Sequence, residues 1–151
     1  MADESGRDFL TGRGVAPGQS RAGQVSLVTG GSAGLGLAVA EALATAGSAV
    51  VLASRSAARC AQAAAELSAR TGRTVRGRAC DVTDERAVAD VVDGLMEDHG
   101  RLDVLVTGAG VQARGAIGEL AVAELRARLE VNVVGTWPCL PCGRRGGWTC
   151  H

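Results

Sequence analysis

The chain has 151 residues, of which 46% are hydrophobic and 21% are charged. This composition suits one globular domain that can bury a core, and it excludes a mainly disordered chain. Basic and acidic residues number 16 each, so there is no basic excess of the kind that binds nucleic acid or an anionic membrane surface.

Residues 1–23 are rich in glycine and polar side chains, and we expect them to form a flexible N-terminal extension. They contain no apolar segment like that of a secretory signal, and no run in the chain reaches the roughly 20 apolar residues of a membrane helix. We therefore expect a cytoplasmic protein, in which thiols stay reduced. Cys60 and Cys80 are then expected to be small buried hydrophobic residues.

From Gln24 onward, short apolar strands alternate with helical segments. The predicted strands are 24–30, 48–54, 74–80 and 102–110, and the predicted helices are 33–47, 57–72, 84–100 and 122–134. In the first helix, apolar residues recur at helical spacing at Leu35, Val39, Leu43 and Ala46. Thr83 is the expected N-cap of the third helix.

This alternation predicts a parallel sheet covered by helices on both faces. Right-handed crossovers give the strand order 3-2-1-4 of a Rossmann-like, doubly wound α/β fold, incomplete in this chain. A ligand crevice is expected between strands one and four, at their carboxyl ends.

The segment "TGGSAGLG", residues 29–36, joins the first strand to the first helix. Gly30 allows a tight turn, Gly34 lets the backbone approach a pyrophosphate, and Gly36 lets the helix pack close to the strand. The free N–H groups at the start of the helix favour an anion. Taken alone, such a loop is also consistent with an ordinary strand-to-helix turn.

Three further motifs follow in order: "CDVTD" at 80–84, "LDVLVTGAG" at 102–110 and "VNVVG" at 131–135. Together with the glycine loop they resemble the short-chain dehydrogenase/reductase family, over about Gln24 to Trp137. The resemblance implies a nicotinamide-nucleotide-binding domain at residues 24–137. It also implies hydride transfer between an alcohol and a carbonyl, with the nucleotide and a small-molecule substrate as the partners.

The resemblance also assigns cofactor contacts residue by residue. The phosphates and the adenosine ribose are expected at Gly30, Ser32, Gly34, Leu35 and Gly36. The adenine ring is expected at Asp81 and Val82, although Asp81 could instead shape the turn before the third helix.

The end of the fourth strand resembles the Asn-Asn-Ala-Gly motif of the family. Ala109 and Gly110 match its last two residues and are expected to leave room for the cofactor ribose. Thr107 and Gly108 replace its two Asn residues, which usually support the sheet through side-chain hydrogen bonds.

Cofactor choice depends on the end of the second strand. An NAD enzyme usually has an acid there that accepts from the 2′-hydroxyl, whereas this chain has Ser54 and Arg55. Because a guanidinium suits a 2′-phosphate, NADP(H) is favoured over NAD(H). The alternative is that Arg55 is an ordinary solvated side chain. The NADP-binding members of the family often have a second basic residue in the glycine loop, and Ala33 in this loop is not basic.

Asn132 matches the Asn of the family's N-x-x-G segment, which breaks the helix and holds a water in a proton relay; the alternative is a simple helix cap. The family's catalytic Ser and Tyr-x-x-x-Lys come further along. This chain has no Tyr, and all 16 of its basic residues are Arg. We therefore expect an incomplete catalytic set and a lost oligomer interface. The competing hypothesis is a non-catalytic nucleotide-binding or interaction module.

Residues 138–151 contain three of the five Cys and two of the three Pro. We expect an irregular tail foreign to the family, and we hypothesise a frameshifted or truncated gene. The alternative is a zinc site with the ligands Cys139, Cys142, Cys150 and His151. Adjacent ligands at 150 and 151 suit one tetrahedral ion poorly, so no metal is expected.

Overall fold

The computed structural model describes residues 20–112 and 120–140. The elements, in chain order, are β1 (Val25–Thr29), α1 (Gly34–Thr45), β2 (Ala49–Ser54), α2 (Ala57–Thr71), β3 (Val75–Ala79), α3 (Glu85–His99), β4 (Val104–Thr107), α4 (Val122–Asn132) and a 3₁₀ helix (Val134–Cys139). The predicted order and type of the strands and α-helices are confirmed. Of the expected flexible extension 1–23 and the expected irregular tail 138–151, residues 1–19 and 141–151 lie outside the described residues. Within the tail, Pro138 and Cys139 are not irregular but end the 3₁₀ helix.

The four strands form one parallel sheet in the order β3-β2-β1-β4, which confirms the predicted topology. At the carboxyl edge, Thr29 of β1 lies opposite Ala53 of β2 and Thr107 of β4. The loops that leave these strands therefore start at the same level and surround one crevice, as expected for parallel strands.

The sheet separates two hydrophobic cores, because successive strand side chains point to opposite faces. On one face, Val28 and Leu52 pack with residues of α1 and α2. On the other face, Leu27 and Val51 pack with residues of α3 and with Cys139 of the 3₁₀ helix. Both faces are covered, which confirms the doubly wound architecture. Cys60 and Cys80 are buried as expected, one in each core.

Helix α1 turns its smallest residues toward the sheet. Its buried positions are Gly36, Ala40 and Ala44, whereas Leu35, which opens the predicted apolar row, is 82% exposed. A Cβ at Gly36 would overlap the carbonyl oxygen of Gly30, so the helix lies too close to the strand turn for a side chain there. This close approach is the packing role predicted for Gly36.

The N-cap of α3 is Asp84, and the expectation of Thr83 was wrong. Asp84 Oδ1 accepts hydrogen bonds from the backbone N–H groups of Arg86 at 2.9 Å and Ala87 at 3.2 Å. The Thr83 hydroxyl instead donates to Asp81 Oδ1 at 2.8 Å. A carboxylate is a stronger hydrogen-bond acceptor than a hydroxyl. Asp84, one residue after Thr83, therefore caps the helix.

Helix α4 and the 3₁₀ helix that follows it expose apolar surface. None of the residues of α4 is buried, and large apolar side chains stand exposed at Val122, Leu125, Leu129, Val133, Val134, Trp137 and Leu140. Strand β4 ends the sheet beside them, with Val104, Leu105 and Val106 half-buried. Apolar side chains therefore lie along the edge of the described sheet at β4. Among the described residues, no helix is long and apolar enough to cross a membrane.

Candidate functional site

A cavity of about 190 Å³ opens at the carboxyl edge of the sheet. Eight of the eleven residues expected to contact a cofactor line it: Gly30, Ser32, Ser54, Arg55, Asp81, Val82, Ala109 and Gly110. The other three, Gly34, Leu35 and Gly36, form the first turn of α1. The same cavity is also lined by residues that the sequence analysis did not assign to a cofactor: Ala53, Ser56, Arg59, Cys80, Val111 and Val131.

The glycine turn brings the loops after β1 and β4 into direct contact. Gly30 has φ +69°, and a Cβ there would overlap the carbonyl oxygen of Gly108. The Gly30 N–H donates to the Ala53 carbonyl at 2.8 Å, and the Gly108 N–H donates to the Thr29 carbonyl at 3.1 Å. Only glycine at position 30 satisfies both the backbone conformation and the space.

The start of α1 offers an open cradle for an anion. Its N-cap is Ala33, which has no side chain that could accept from the first N–H groups of the helix. Gly34 has φ +58°, and a Cβ placed there would meet no protein atom within 4 Å. Uncapped N–H groups beside open space at a helix N-terminus fit a phosphate or pyrophosphate.

Two arginines lie where β2 ends and α2 begins. Arg55 and Arg59 both line the cavity, and neither has a carboxylate within 4.0 Å among the described residues. Arg59 was missed in the sequence because it lies in the first turn of α2, in what looked like an ordinary helix surface. The signal that could have found it is that this helix follows β2, so its first turn lies at the carboxyl edge of the sheet, where ligands bind in this fold.

Ser54 makes a hydrogen bond behind this arginine pair. Its Oγ lies 3.0 Å from the Sγ of Cys60, a residue that is fully buried in α2. Ser56 caps α2 by accepting from the Arg59 N–H at 3.3 Å. The start of α2 is therefore tied to the end of β2.

Asp81 is held by Thr83 in the turn that follows β3. Its Oδ1 accepts from the Thr83 N–H at 3.0 Å and from the Thr83 hydroxyl at 2.8 Å. The backbone bond and then the hydroxyl bond lower the pKa of Asp81 against the opposing effect of burial, and the charge of Arg55 lowers it further. Asp81 thus shapes the turn, as the alternative interpretation held, while its carboxylate also lines the cavity.

Thr29 supports the loop after β4, where Thr107 and Gly108 replace two Asn residues. Its hydroxyl accepts from the Ala109 N–H at 3.4 Å and donates to the Val106 carbonyl at 3.5 Å. Thr29 itself is 2% exposed. A side chain of the first strand therefore contributes to holding Ala109 at the cavity wall.

Asn132 lies at the end of α4 and binds the backbone of Val111. Its Oδ1 accepts from the Val111 N–H at 2.8 Å, and its Nδ2 donates to the Val111 carbonyl at 3.0 Å. Val131 and Val111 both line the cavity, so α4 closes one side of it. Sequence reasoning missed both valines because nothing local indicates how α4 lies against the loop after β4.

Of the residues in the alternative zinc site, only Cys139 belongs to the described part of the chain. It is 1% exposed, and its Sγ donates to the Gly135 carbonyl at 3.6 Å. Cys142, Cys150 and His151 lie outside the described residues. Within residues 20–112 and 120–140, no group of three or more His, Cys, Asp or Glu could hold a metal ion.

The fold and the cavity define a doubly wound α/β protein in which a glycine turn, an uncapped helix start and cationic side chains lie at the carboxyl edge of a parallel sheet. The family model described as short chain dehydrogenase matches residues 24–141. The chain therefore belongs to the short-chain dehydrogenase/reductase family.

Individual relatives agree with this membership. D-threitol dehydrogenase of Mycolicibacterium smegmatis is 36% identical over 124 residues, which are 82% of this chain and 47% of that protein. The RhlG/NADP complex of Pseudomonas aeruginosa matches with a TM-score of 0.79 and 32% identity, over 87% of this chain and 51% of that one. NAD⁺-bound xylitol dehydrogenase matches with a TM-score of 0.77 and 33% identity, over 83% and 48%. The chain spans about half the length of the curated relatives it matches.

Proposed function

We propose that this chain is the nucleotide-binding part of an NADP(H)-dependent oxidoreductase that transfers hydride between an alcohol and a carbonyl substrate. The observation that carries this proposal is the cavity that joins Gly30 and Ser32 of the glycine turn to Arg55 and Arg59, with the open start of α1 directly after that turn. The nicotinamide ring of the bound cofactor supplies or accepts the hydride. The described residues bind and orient the other end of that cofactor.

The proposed contacts follow the parts of the cavity. The pyrophosphate lies against Gly30, Ser32, Gly34, Leu35 and Gly36, where the helix dipole favours negative charge. The adenine ring lies beside Val82 and Asp81, whose lowered pKa keeps the carboxylate ionised as an acceptor. Ala109 and Gly110 leave room for a ribose because neither has a side chain beyond Cβ.

We propose NADP(H) rather than NAD(H) as the cofactor. The 2′-phosphate would lie at the turn after β2, beside Ser54 and between the guanidinium groups of Arg55 and Arg59. No carboxylate competes for these cations within 4.0 Å among the described residues. Among the solved relatives, RhlG holds NADP and xylitol dehydrogenase holds NAD⁺, so the proposal rests on these arginines and not on the family alone.

We further propose that this chain alone does not turn over a carbonyl substrate. General acid–base transfer to a carbonyl oxygen needs a positioned proton donor. The chain has no Tyr and, since all 16 basic residues are Arg, no Lys whose charge could lower a phenol pKa. Of the family's catalytic residues, only Asn132 is present in this chain. Residues 24–137 therefore act as a domain that binds the nucleotide without catalysing the reaction.

Titration of the full 151-residue chain with NADPH by isothermal calorimetry tests the binding proposal. Gly34→Ala and Gly72→Ala form a matched pair, since the two glycines have φ +58° and +65° and neither Cβ would meet an atom within 4 Å. Both substitutions impose a similar backbone strain. We expect saturable binding that weakens about tenfold or more in Gly34→Ala and is unchanged in Gly72→Ala, at the far end of α2.

The outcomes separate the two functions considered. Binding without consumption of NADPH in the presence of carbonyl substrates supports a nucleotide-binding part that lacks catalysis. Consumption of NADPH that is lost in Gly34→Ala would overturn the proposed lack of turnover. Equal binding by both glycine variants, or no binding by the wild-type chain, would overturn the proposed nucleotide site.

A further inference from the structure

Gly135 packs directly against the back of Val82. Gly135 is buried in the 3₁₀ helix that follows α4, and a Cβ placed on it would lie 2.7 Å from Val82 Cγ2 and 3.3 Å from Val82 Cβ. The first distance is shorter than any ordinary carbon–carbon contact. Because Gly135 has only a hydrogen atom in place of a side chain, the Val82 methyl group can occupy the space beside its Cα.

Val82 is shared between the core and the cavity. It is 6% exposed and belongs to the core cluster formed with α3, and it also lines the cavity beside Asp81. Because a close-packed core offers no room for an added methyl group, a Val82 side chain that is pushed from behind moves toward the unfilled cavity. The position of this wall therefore depends on what stands at residue 135.

The backbone of Gly135 gives no other reason for glycine. Its φ is not among the positive values that favour glycine, and it lies inside a helical segment, where alanine is intrinsically preferred. A side chain at this position is excluded by its neighbours, Val82 and the Glu130 carbonyl oxygen, the latter at 3.3 Å from the added Cβ. Of these two contacts, the one with Val82 is much the tighter.

We propose that Gly135 is a positioning residue for the nucleotide cavity, which acts by setting how far Val82 projects into it. This inference rests on the proposed function, since it assigns the cavity to a nucleotide. Gly135 would then be the third residue of the segment 131–135 that shapes the cavity. Val131 forms part of the wall, Asn132 holds Val111 in the wall, and Gly135 supports Val82 from behind.

A double-mutant cycle on the full chain tests this role, with adenosine 2′,5′-bisphosphate as the calorimetric probe. The variants are Gly135→Ala, Val82→Ala and the double substitution, and Gly94→Ala is the control. Gly94 lies on α3 with only the tip of Arg78 near its added Cβ, at 3.8 Å. We expect Gly135→Ala to weaken binding about tenfold and the double variant to bind as Val82→Ala does, because removing the methyl groups removes the collision.

Each outcome decides between the proposals. Wild-type affinity in Gly135→Ala, or a double variant that binds more weakly than Val82→Ala, would contradict the positioning role while leaving the nucleotide site intact. Absence of binding by the wild-type chain would overturn the proposed function and this inference together. Circular dichroism monitors the folding of each variant. If Gly135→Ala alone is unfolded, the affinities of the double variant and of Val82→Ala for the probe still test the positioning role.

Discussion

Asn132 holds the backbone of Val111 with both polar atoms of its side-chain amide, through hydrogen bonds of 2.8 and 3.0 Å. One amide therefore satisfies both backbone groups of a residue 21 positions earlier in the chain. The contact joins the end of α4 to the loop after β4, and Val111 lines the cavity. This arrangement makes Asn132 a structural support of the proposed nucleotide site, in addition to the relay role that the family resemblance implies.

Replacing Asn132 should release Val111 in graded steps. Asn132→Asp keeps the acceptor but places a carboxylate against the Val111 carbonyl, and Asn132→Ala removes both bonds. Since each such bond contributes about 1 kcal/mol, we expect amide exchange at Val111 to rise about fivefold in the Asp variant and further in the Ala variant. Hydrogen–deuterium exchange measures this, with Arg126→Ala as a control on the exposed surface of α4. Equal exchange in all variants would contradict a supporting role for Asn132.

The arginine pair at the start of α2 should determine preference between the two nicotinamide cofactors. Hydrogen bonds to charged groups contribute about 1.5–3 kcal/mol, so Arg55→Ala or Arg59→Ala should each weaken NADPH binding about tenfold or more and leave NADH binding unchanged. Arg73→Ala is the matched control, because Arg73 is also exposed but lines a different depression, away from the cavity. An equal loss of NADPH and NADH affinity would refute a role in recognising the 2′-phosphate. Parallel calorimetric titrations give both affinities.

Asp103 should make the fold sensitive to acid. The Arg101 guanidinium and then the hydrogen bond from the Val25 N–H lower the pKa of Asp103 against the effect of burial, tying the start of β4 to β1. Because the pKa of Asp103 is lower in the folded state, its ionised form stabilises the fold. This contribution to the free energy of unfolding is complete above the unfolded-state pKa of about 4, and it is lost as the pH falls through the lower folded-state pKa. Asp103→Asn should therefore cost about 1 kcal/mol at pH 7 and flatten the decline in stability below about pH 4.

Urea denaturation at a series of pH values measures this dependence. Asp90→Asn, at an exposed position of α3, serves as the control and should keep the wild-type pH profile. If Asp103→Asn retains the full acid decline, the loss of stability arises at other carboxylates.

The N-cap of α3 gives a prediction that separates two neighbouring residues. Asp84→Ala removes the acceptor of two backbone N–H groups and should lower the free energy of unfolding by about 1 kcal/mol. Thr83→Val removes only the hydroxyl that donates to Asp81 and leaves the cap intact. Urea denaturation of both variants should show the larger loss in Asp84→Ala. The reverse order would mean that Thr83 is the residue that stabilises the start of the helix.

Patterns within single elements predicted most of the fold. The strands, the α-helices and the order β3-β2-β1-β4 follow from apolar runs, helical spacing and the handedness of crossovers, all of which act over short stretches of chain. The error at the start of α3 is also local: Asp84 rather than Thr83 is the N-cap, because two adjacent acceptors compete for the same N–H groups. The exposure of Leu35 was not apparent from its spacing, since close packing of small residues turns the other face of α1 toward the sheet.

The sequence by itself determined which residue types stand at the carboxyl ends of the strands, because motif spacing places Gly30, Arg55, Asp81 and Ala109 there. Only the tertiary structure decided what completes the cavity. Arg59 joins Arg55 through the orientation of α2, Val111 is held by Asn132, and Gly135 supports Val82. These contacts join residues from separate elements, and their geometry depends on how closely helices pack on the sheet. Backbone conformation is encoded by near neighbours, whereas such packing distances are set by side chains far apart in the chain.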